Sequence, residues 1–576
     1  MGSSLAENSA DGGEKGLQPN DFAVGDTSNA DGENHHTERF LTRCGLTLES
    51  FQRRRDGQGS AELDRRMKPR HLNMIAIGGA IGAGFFVGSG GALYKGGPGF
   101  VLVDFIIVGL MIFNVVHALG ELAVMYPVQG GFYAYSIRFI DPAWGFATGW
   151  NYIFSAIIVL PLELTVCALT IRYWNETISP GVWIAIFLIL IIVVNILGTL
   201  GFAEEEFWSS VLKLGATVAF MIIAVVLVAG GGPENGRYHE YQGTKLWYEG
   251  DGPFRHGIKG FCSVFITASF SFSGTELIGL AAAEARNPTR SLPKAIKQVF
   301  WRITIFYILG LFFVGLLVSA DDDRLLSETA YTNTKASPFV LAAEYSGLTG
   351  FNHFMNSIIL VSVLSIGVAS VYASSRTLTA LAKEGYAPKC FTYIDRSGRP
   401  LISVIVPLIF SPLAFVNLTG EGPLIFYWLQ AFSGLAVLFS WGSICLAHIR
   451  FRKAWAHSGH SLDEIPFKAA GGVYGSWFGV FVVFLVFAAQ FYTGIVAPIG
   501  KSGMGTAKTF FKSYLGVFII ALFWVIGYLW KRTGWIKISQ IDVDTGRREH
   551  DWEAINAYRA KVATWPAWRR ALNAIM

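Results

Sequence analysis

Of 576 residues, 52% are hydrophobic, 14% aromatic and only 15% charged, far from the roughly 25% charged residues of a soluble domain. The formal charge of +5 is small for this length and excludes a nucleic-acid footprint or an argument for an acidic partner. Five cysteines (Cys44, Cys167, Cys262, Cys390, Cys445) fall in segments read as cytosolic or inside helices, so no disulfide and no metal centre is expected.

Residues 1–66 open the chain with Gly, Ser, Asn, Asp and Glu and no signal-peptide core, and read as a disordered cytosolic tail. Between His71 and Trp530 follow twelve apolar runs, at 72–94, 99–126, 143–171, 181–202, 207–230, 257–283, 299–320, 351–382, 401–418, 424–449, 476–497 and 513–530. About 20 residues each suffices to cross ~30 Å of hydrocarbon. The expected class is an all-α membrane protein of twelve spans over 67–530, with repeats at about 72–230 and 257–449 and extra helices over 476–530. Positive charge gathers at 53–70 (Arg53, Arg54, Arg55, Arg65, Arg66, Lys68, Arg70), 286–302, 383–399, 450–453 and 531–537. All five segments share one side if the first helix starts in the cytosol, which puts both termini there. In the cytosolic tail 531–576, Trp552, Trp565 and Trp568 alternate with Arg559, Arg569 and Arg570. That pattern suits a segment on the inner leaflet, or a docking site for regulatory or trafficking proteins.

Spans 1 and 6 differ from the rest. The first carries Gly78-Gly79-Ala80-Ile81-Gly82-Ala83-Gly84 and the sixth Ser271-Phe272-Ser273-Gly274-Thr275. Glycine inside a helix costs about 1 kcal/mol, and unwound backbone at membrane depth survives only against a cavity or buried in protein. Close packing of small residues is the rival explanation. Their positions, five spans apart, fit the first members of two inverted five-helix repeats with a site between them. Freed N–H groups of Gly82, Ala83 and Gly84, with the dipole of the following half-helix, would bind a carboxylate. Carbonyls near Ala80, Phe270 and Ser273 would face an ammonium group. The substrate-binding set is therefore Ala80, Ile81, Gly82, Ala83, Gly84, Phe270, Ser271, Phe272, Ser273 and Gly274, joined by Ser433 on grounds given below.

The runs RHLNMIAIGGAIGAGFFVGSG (70–90), LGELAVMYPVQGGFYAY (119–135), DPAWGFATGWNY (141–152), LPLELT (160–165), FSFSGTELIGLAAAEARNPTRSLPKAI (270–296), SVYASSRTLTALAKEGYAPKCF (370–391), WGSICLAHIRFRKAW (441–455) and DVDTGRRE (542–549) resemble the fungal amino-acid permease family. The resemblance covers roughly 66–550. It implies the fold of the bacterial leucine transporter with two extra helices, and proton-driven amino-acid uptake at a fungal plasma membrane. Family members commonly carry a hydroxyl at the positions of Ala80 and Ala83, and often Asn at that of Val368, so this pocket is expected to be apolar and to prefer neutral substrates.

Ionisable residues at membrane depth are functional candidates. The family's LPLE motif sets Glu163 beside the substrate path. Lys213 resembles the lysine of sodium-independent superfamily members, and the two are expected to couple protons. Glu276 would either bond the broken backbone of span 6 or relay protons. Glu121 would hold a gate or loop at the cytosolic end of span 2, and Arg376 with the loop 385–388 would stabilise that end of span 8. Phe270 resembles the superfamily's gating aromatic, and Ser433 lies where the family faces the substrate side chain. No cofactor is expected. An enzyme would need a His, Asp or Glu constellation on neighbouring helices, and no such motif appears in the sequence. A sensor of the same fold, or a permease for 4-aminobutyrate or polyamines, remains open.

Overall fold

Glycine and proline punctuate the apolar runs, and the computed structural model follows that punctuation through the described residues, 46–54, 67–128, 130–285, 288–325, 337–418, 422–499 and 503–575. Among them no β-strand forms, only isolated bridges. Span 1 begins as helix Pro69–Gly78, resumes at Gly84 and runs on to Gly97, whose φ of 73° turns the chain before Pro98 into span 2, ending at Met125. Spans 3, 4 and 5 are Pro142–Ile171, Pro180–Ile196 and Gly198–Val228. The starts of spans 3 and 4 are written locally: Asp141 and Ser179 accept from the N–H groups of Ala143 and Gly181, with proline at the first helical position.

Span 6 is Gly257–Phe272 followed by Leu277–Ala283, and span 7 runs from Pro288 to Leu317. Span 8 is Phe351–Lys383, while span 9 begins as Leu401–Phe410 and tightens to 3-10 geometry over Ser411–Leu418. Spans 10, 11 and 12 are Gly422–His457, Gly472–Ile495 and Ala507–Lys531. Nine helical stretches among the described residues are long and apolar enough to cross a membrane, and spans 4 and 9 are shorter apolar helices. The longest stretch, Gly84–Met125, joins the second half of span 1 to span 2. The twelve-span, all-α fold with breaks in spans 1 and 6 is therefore the observed one. Spans 3 and 8 share the most extensive packing, and span 2 packs on the first half of span 6.

One boundary differs from the sequence reading. Span 5 begins at Gly198, whose φ of 73° ends span 4, so the acidic run Glu204–Glu206 lies inside a helix instead of in a loop. Its charges are matched by neighbours: Glu204 bonds Arg70 and His71, and Glu206 pairs with Lys213.

Both tails touch the helix ends. Residues 46–54, counted above in the disordered tail, carry a short 3-10 turn at Leu48–Phe51 and bond the 390–399 loop through Arg54 N to Ile394 O (3.1 Å) and Tyr393 Oη to Phe51 O (2.5 Å). The rest of 1–66 lies outside the described residues, with Cys44 and Arg55. After span 12 the chain straps the end of span 2 and the short helix Phe132–Phe139 that follows it, Tyr126 Oη donating to Val543 O (2.6 Å) and Arg138 Nε to Asp542 O (2.8 Å). Thr545 and the N–H of Asp544 hold the Asp542 carboxyl down to about 2. Two further helices, Trp552–Ala563 and Ala567–Ile575, complete the tail, and Arg559 donates to Asp463 O and Ile465 O (2.7 and 2.6 Å).

Candidate functional site

Span 1 unwinds between Gly78 and Gly84. Ile81 N–H reaches Gly78 O (3.0 Å), while Phe85 and Phe86 both return to Gly82 O (3.2 and 3.1 Å). The N–H groups of Gly82 and Ala83 have no backbone acceptor among the described residues. The glycines are dictated by close approach: a Cβ would fall 2.2 Å from Ser210 Oγ at Gly78, 2.5 Å from Ile366 Cγ1 at Gly82 and 2.8 Å from Ser271 Cα at Gly84.

Span 6 breaks differently. Ser273 is extended (ψ 144°), and Gly274 takes φ 91° before the helix resumes at Leu277. Side chains supply the missing partners. Thr275 Oγ1 donates to Phe272 O (2.6 Å), Gly274 N–H to Glu276 Oε1 (3.2 Å), and Trp441 Nε1 to Glu276 Oε2 (3.1 Å).

Between the breaks lies a cavity of about 640 Å³, a volume that includes the open solvent at its mouth. Ala80, Gly82, Ala83 and Gly84 line it from span 1, and Phe270, Ser273, Gly274 and Glu276 from span 6. Glu163 reaches it from span 3, buried, its Oε2 without a hydrogen-bond partner. Ile81, Ser271, Phe272 and Ser433, also read as substrate-binding, do not line it. Phe272 turns to the far side and stacks on Tyr307 at 4.2 Å, while Ser271 Oγ is spent on Thr267 O (2.7 Å). Ser433 sits one layer back, 3.2 Å from Ser155 Oγ, which does line the cavity. Val368 is buried off the cavity, whereas Ile366, Ala369 and Ser370 face it. A helix turns ~100° per residue, so a one-residue difference moves a side chain off the face.

Lys213 also lies outside the cavity, behind the span 1 break. Its Nζ is 3.5 Å from Gly78 O, 3.1 Å from Ser365 Oγ and 3.6 Å from Glu206 Oε1. Ser365 donates to Glu206 Oε2 (2.7 Å) and Ser210 to Glu206 Oε1 (2.9 Å). Sequence reasoning missed Glu206 because three consecutive acids read as a loop; the i, i+7 spacing to Lys213 was the available signal.

It also gave span 7 no part in the site. Tyr307 Oη lies 2.9 Å from Ala80 O, so this carbonyl, expected to be free for an ammonium group, already has a donor. Phe270 O likewise accepts from Ser273 N–H (3.2 Å).

Towards the termini the spans are cross-braced. Arg376 bonds Glu284 (3.1 Å) and Thr199 (3.2 Å), tying spans 8, 6 and 5 together. Glu121 accepts from Arg452 Nη2 and Ala469 N–H (2.7 Å each) and lies 3.1 Å from His448 Nε2.

A family model described as amino acid permease matches residues 71–540. "Amino-acid permease inda1" of Hypocrea atroviridis is 65% identical over 534 residues, covering 93% of each chain. "General amino-acid permease GAP2" of Candida albicans is 46% identical over 89% of this chain and 87% of its own. "Cationic amino acid transporter 1" of Schizosaccharomyces pombe is 45% identical over 86% and 83%. Among solved structures, MhsT in complex with L-phenylalanine shares the fold, with a TM-score of 0.52 at 15% identity over 74% of this chain and 99% of that one.

Proposed function

The chain belongs to the amino acid permease family, and we propose that it imports amino acids across the plasma membrane by proton symport, with both termini in the cytosol. The observation that carries this reading is the cavity bounded by two helix breaks, with the unpaired N–H groups of Gly82 and Ala83 on one wall and the Glu163 carboxyl on another. A substrate carboxylate binds at the N–H groups, where the dipole of the half-helix from Gly84 adds its positive end. The carbonyls of Ala80 and Phe270 each already accept a hydrogen bond, whereas Glu163 Oε2 and the Ser273 carbonyl have no donor among the described residues and are the acceptors open to the ammonium group.

Among the described residues no lysine or arginine lines the cavity, which favours neutral side chains. Glu163 supports a second reading, a receptor for a cationic side chain. A panel of radiolabelled amino acids, taken up by permease-deficient yeast expressing the chain, separates the two. Preference for lysine or arginine by more than about tenfold, roughly 1.4 kcal/mol, favours the second.

For coupling, the Lys213 ammonium binds the end of the first half-helix at Gly78 O and supplies a positive charge without a sodium ion. Glu206, Glu205 and Glu163 are acids within its electrostatic reach. Uptake is expected to rise as external pH falls, ignore sodium and collapse with a protonophore. Lys213→Met keeps exchange of substrate but loses accumulation against a gradient. Sodium-dependent wild-type uptake overturns this coupling.

A further inference from the structure

Span 7 widens into a π-helix over Arg302–Leu309 between two α-helical stretches, a departure that gathers at functional sites. It sets Arg302 and Tyr307, both fully buried, against the two helix breaks. Arg302 Nη1 donates to Ala76 O in span 1 (2.9 Å) and Nη2 to Thr275 Oγ1 in span 6 (2.6 Å). Tyr307 Oη lies 2.9 Å from Ala80 O in span 1 and 2.8 Å from Ser271 O in span 6. Each side chain touches both breaks.

A phenol has one proton, so Tyr307 bridges the two carbonyls only while Ala80 and Ser271 stay side by side. Gly84 permits that approach, since a Cβ there would fall 2.8 Å from Ser271 Cα. Arg302 forms no ion pair among the described residues; its counter-charge is the C-terminal end of helix Pro69–Gly78, reached at Ala76 O. Lys213 meets the same helix end at Gly78 O.

We propose that Tyr307 and Arg302 are positioning residues that lock the two breaks into one binding unit and so set substrate affinity. The proposal rests on the transport reading above. Its test is uptake kinetics normalised to protein at the cell surface. Tyr307→Phe keeps the ring contacts with Phe272 and Phe85 (4.2 and 5.0 Å) and removes only the bridging hydroxyl. It is expected to raise KM about tenfold, hold Vmax within about twofold and leave the pH profile unchanged. Arg302→Lys, which keeps the charge but not the fork, falls between wild type and Arg302→Gln. An unchanged KM in Tyr307→Phe, a fall in Vmax alone, or loss of Tyr307→Phe from the membrane overturns the proposal. If Arg302→Gln fails to reach the surface, Tyr307→Phe decides. A wild-type chain that takes up no amino acid defeats the transport reading instead.

Discussion

The two breaks that face each other across the cavity use glycine for opposite reasons. In span 1, Gly78, Gly82 and Gly84 have ordinary negative φ but no room for a Cβ. In span 6, Gly274 has room, its nearest neighbour being 3.7 Å from a Cβ, but sits at φ 91°. One break is imposed by packing and the other by backbone conformation. The satisfaction of polar groups differs too: span 6 bonds its break partly with its own Thr275 and Glu276, to which Arg302, Tyr307 and Trp441 add bonds from other spans, whereas the side-chain donors at the span 1 break, Lys213, Arg302 and Tyr307, all come from other spans. Span 6 supplies part of its own bonding; span 1 takes its side-chain donors from the rest of the fold.

Substitution can break that contrast. The largest effect is expected at Gly84, where a Cβ meets the backbone of Ser271 at 2.8 and 2.9 Å, atoms that do not yield as a side-chain end does. Overpacking costs about 1–3 kcal/mol, so Gly84→Ala should leave about 1% of wild-type uptake and Gly84→Val none, measured per transporter at the surface. At Gly274 the order of replacements should invert. Alanine at positive φ costs about 1–2 kcal/mol, roughly tenfold in uptake, and asparagine less because it tolerates that region. If asparagine is worse than alanine at Gly274, as it should be at Gly84, the contrast fails.

Glu276→Gln keeps an acceptor but loses the charge that receives both Gly274 N–H and Trp441. A fall in uptake of about fivefold, near 1 kcal/mol, is expected with normal surface expression. The smallest effect is a rescue. A Cβ at Gly78 would meet Ser210 Oγ and Cβ at 2.2 and 2.4 Å, so Ser210→Gly should restore most of the stability lost in Gly78→Ala. Thermal unfolding in detergent reads this out, and non-additivity of about 1 kcal/mol is expected for the pair.

Several residues show why part of the site was legible. Gly82, Gly84, Gly274 and Glu163 stand out in sequence because glycine and carboxylate are costly at membrane depth, and all four line the cavity. Ile81, Phe272 and Ser433 were chosen by adjacency or resemblance; helical rotation carries Phe272 and Ser433 off the cavity face, and the unwound backbone turns Ile81 away from it. Tyr307 escaped notice because a tyrosine in an apolar run looks like core. Arg302 was charged yet was counted with the basic segment 286–302 that overlaps the start of span 7, and was given no role of its own.

The sequence by itself determined the membrane class, the twelve apolar runs and the two places where helix could not continue, because length, hydropathy and glycine cost act locally along the chain. How the acids of span 5 are paired was a tertiary matter: Glu204 meets Arg70 and His71 of span 1, while Glu206 pairs with Lys213 two turns along its own helix and accepts from Ser365 of span 8. Only the tertiary structure decided which residues face the cavity and which carbonyls are taken. Those depend on helix rotation to within one residue, and on donors brought from spans distant in the chain, which no local pattern encodes.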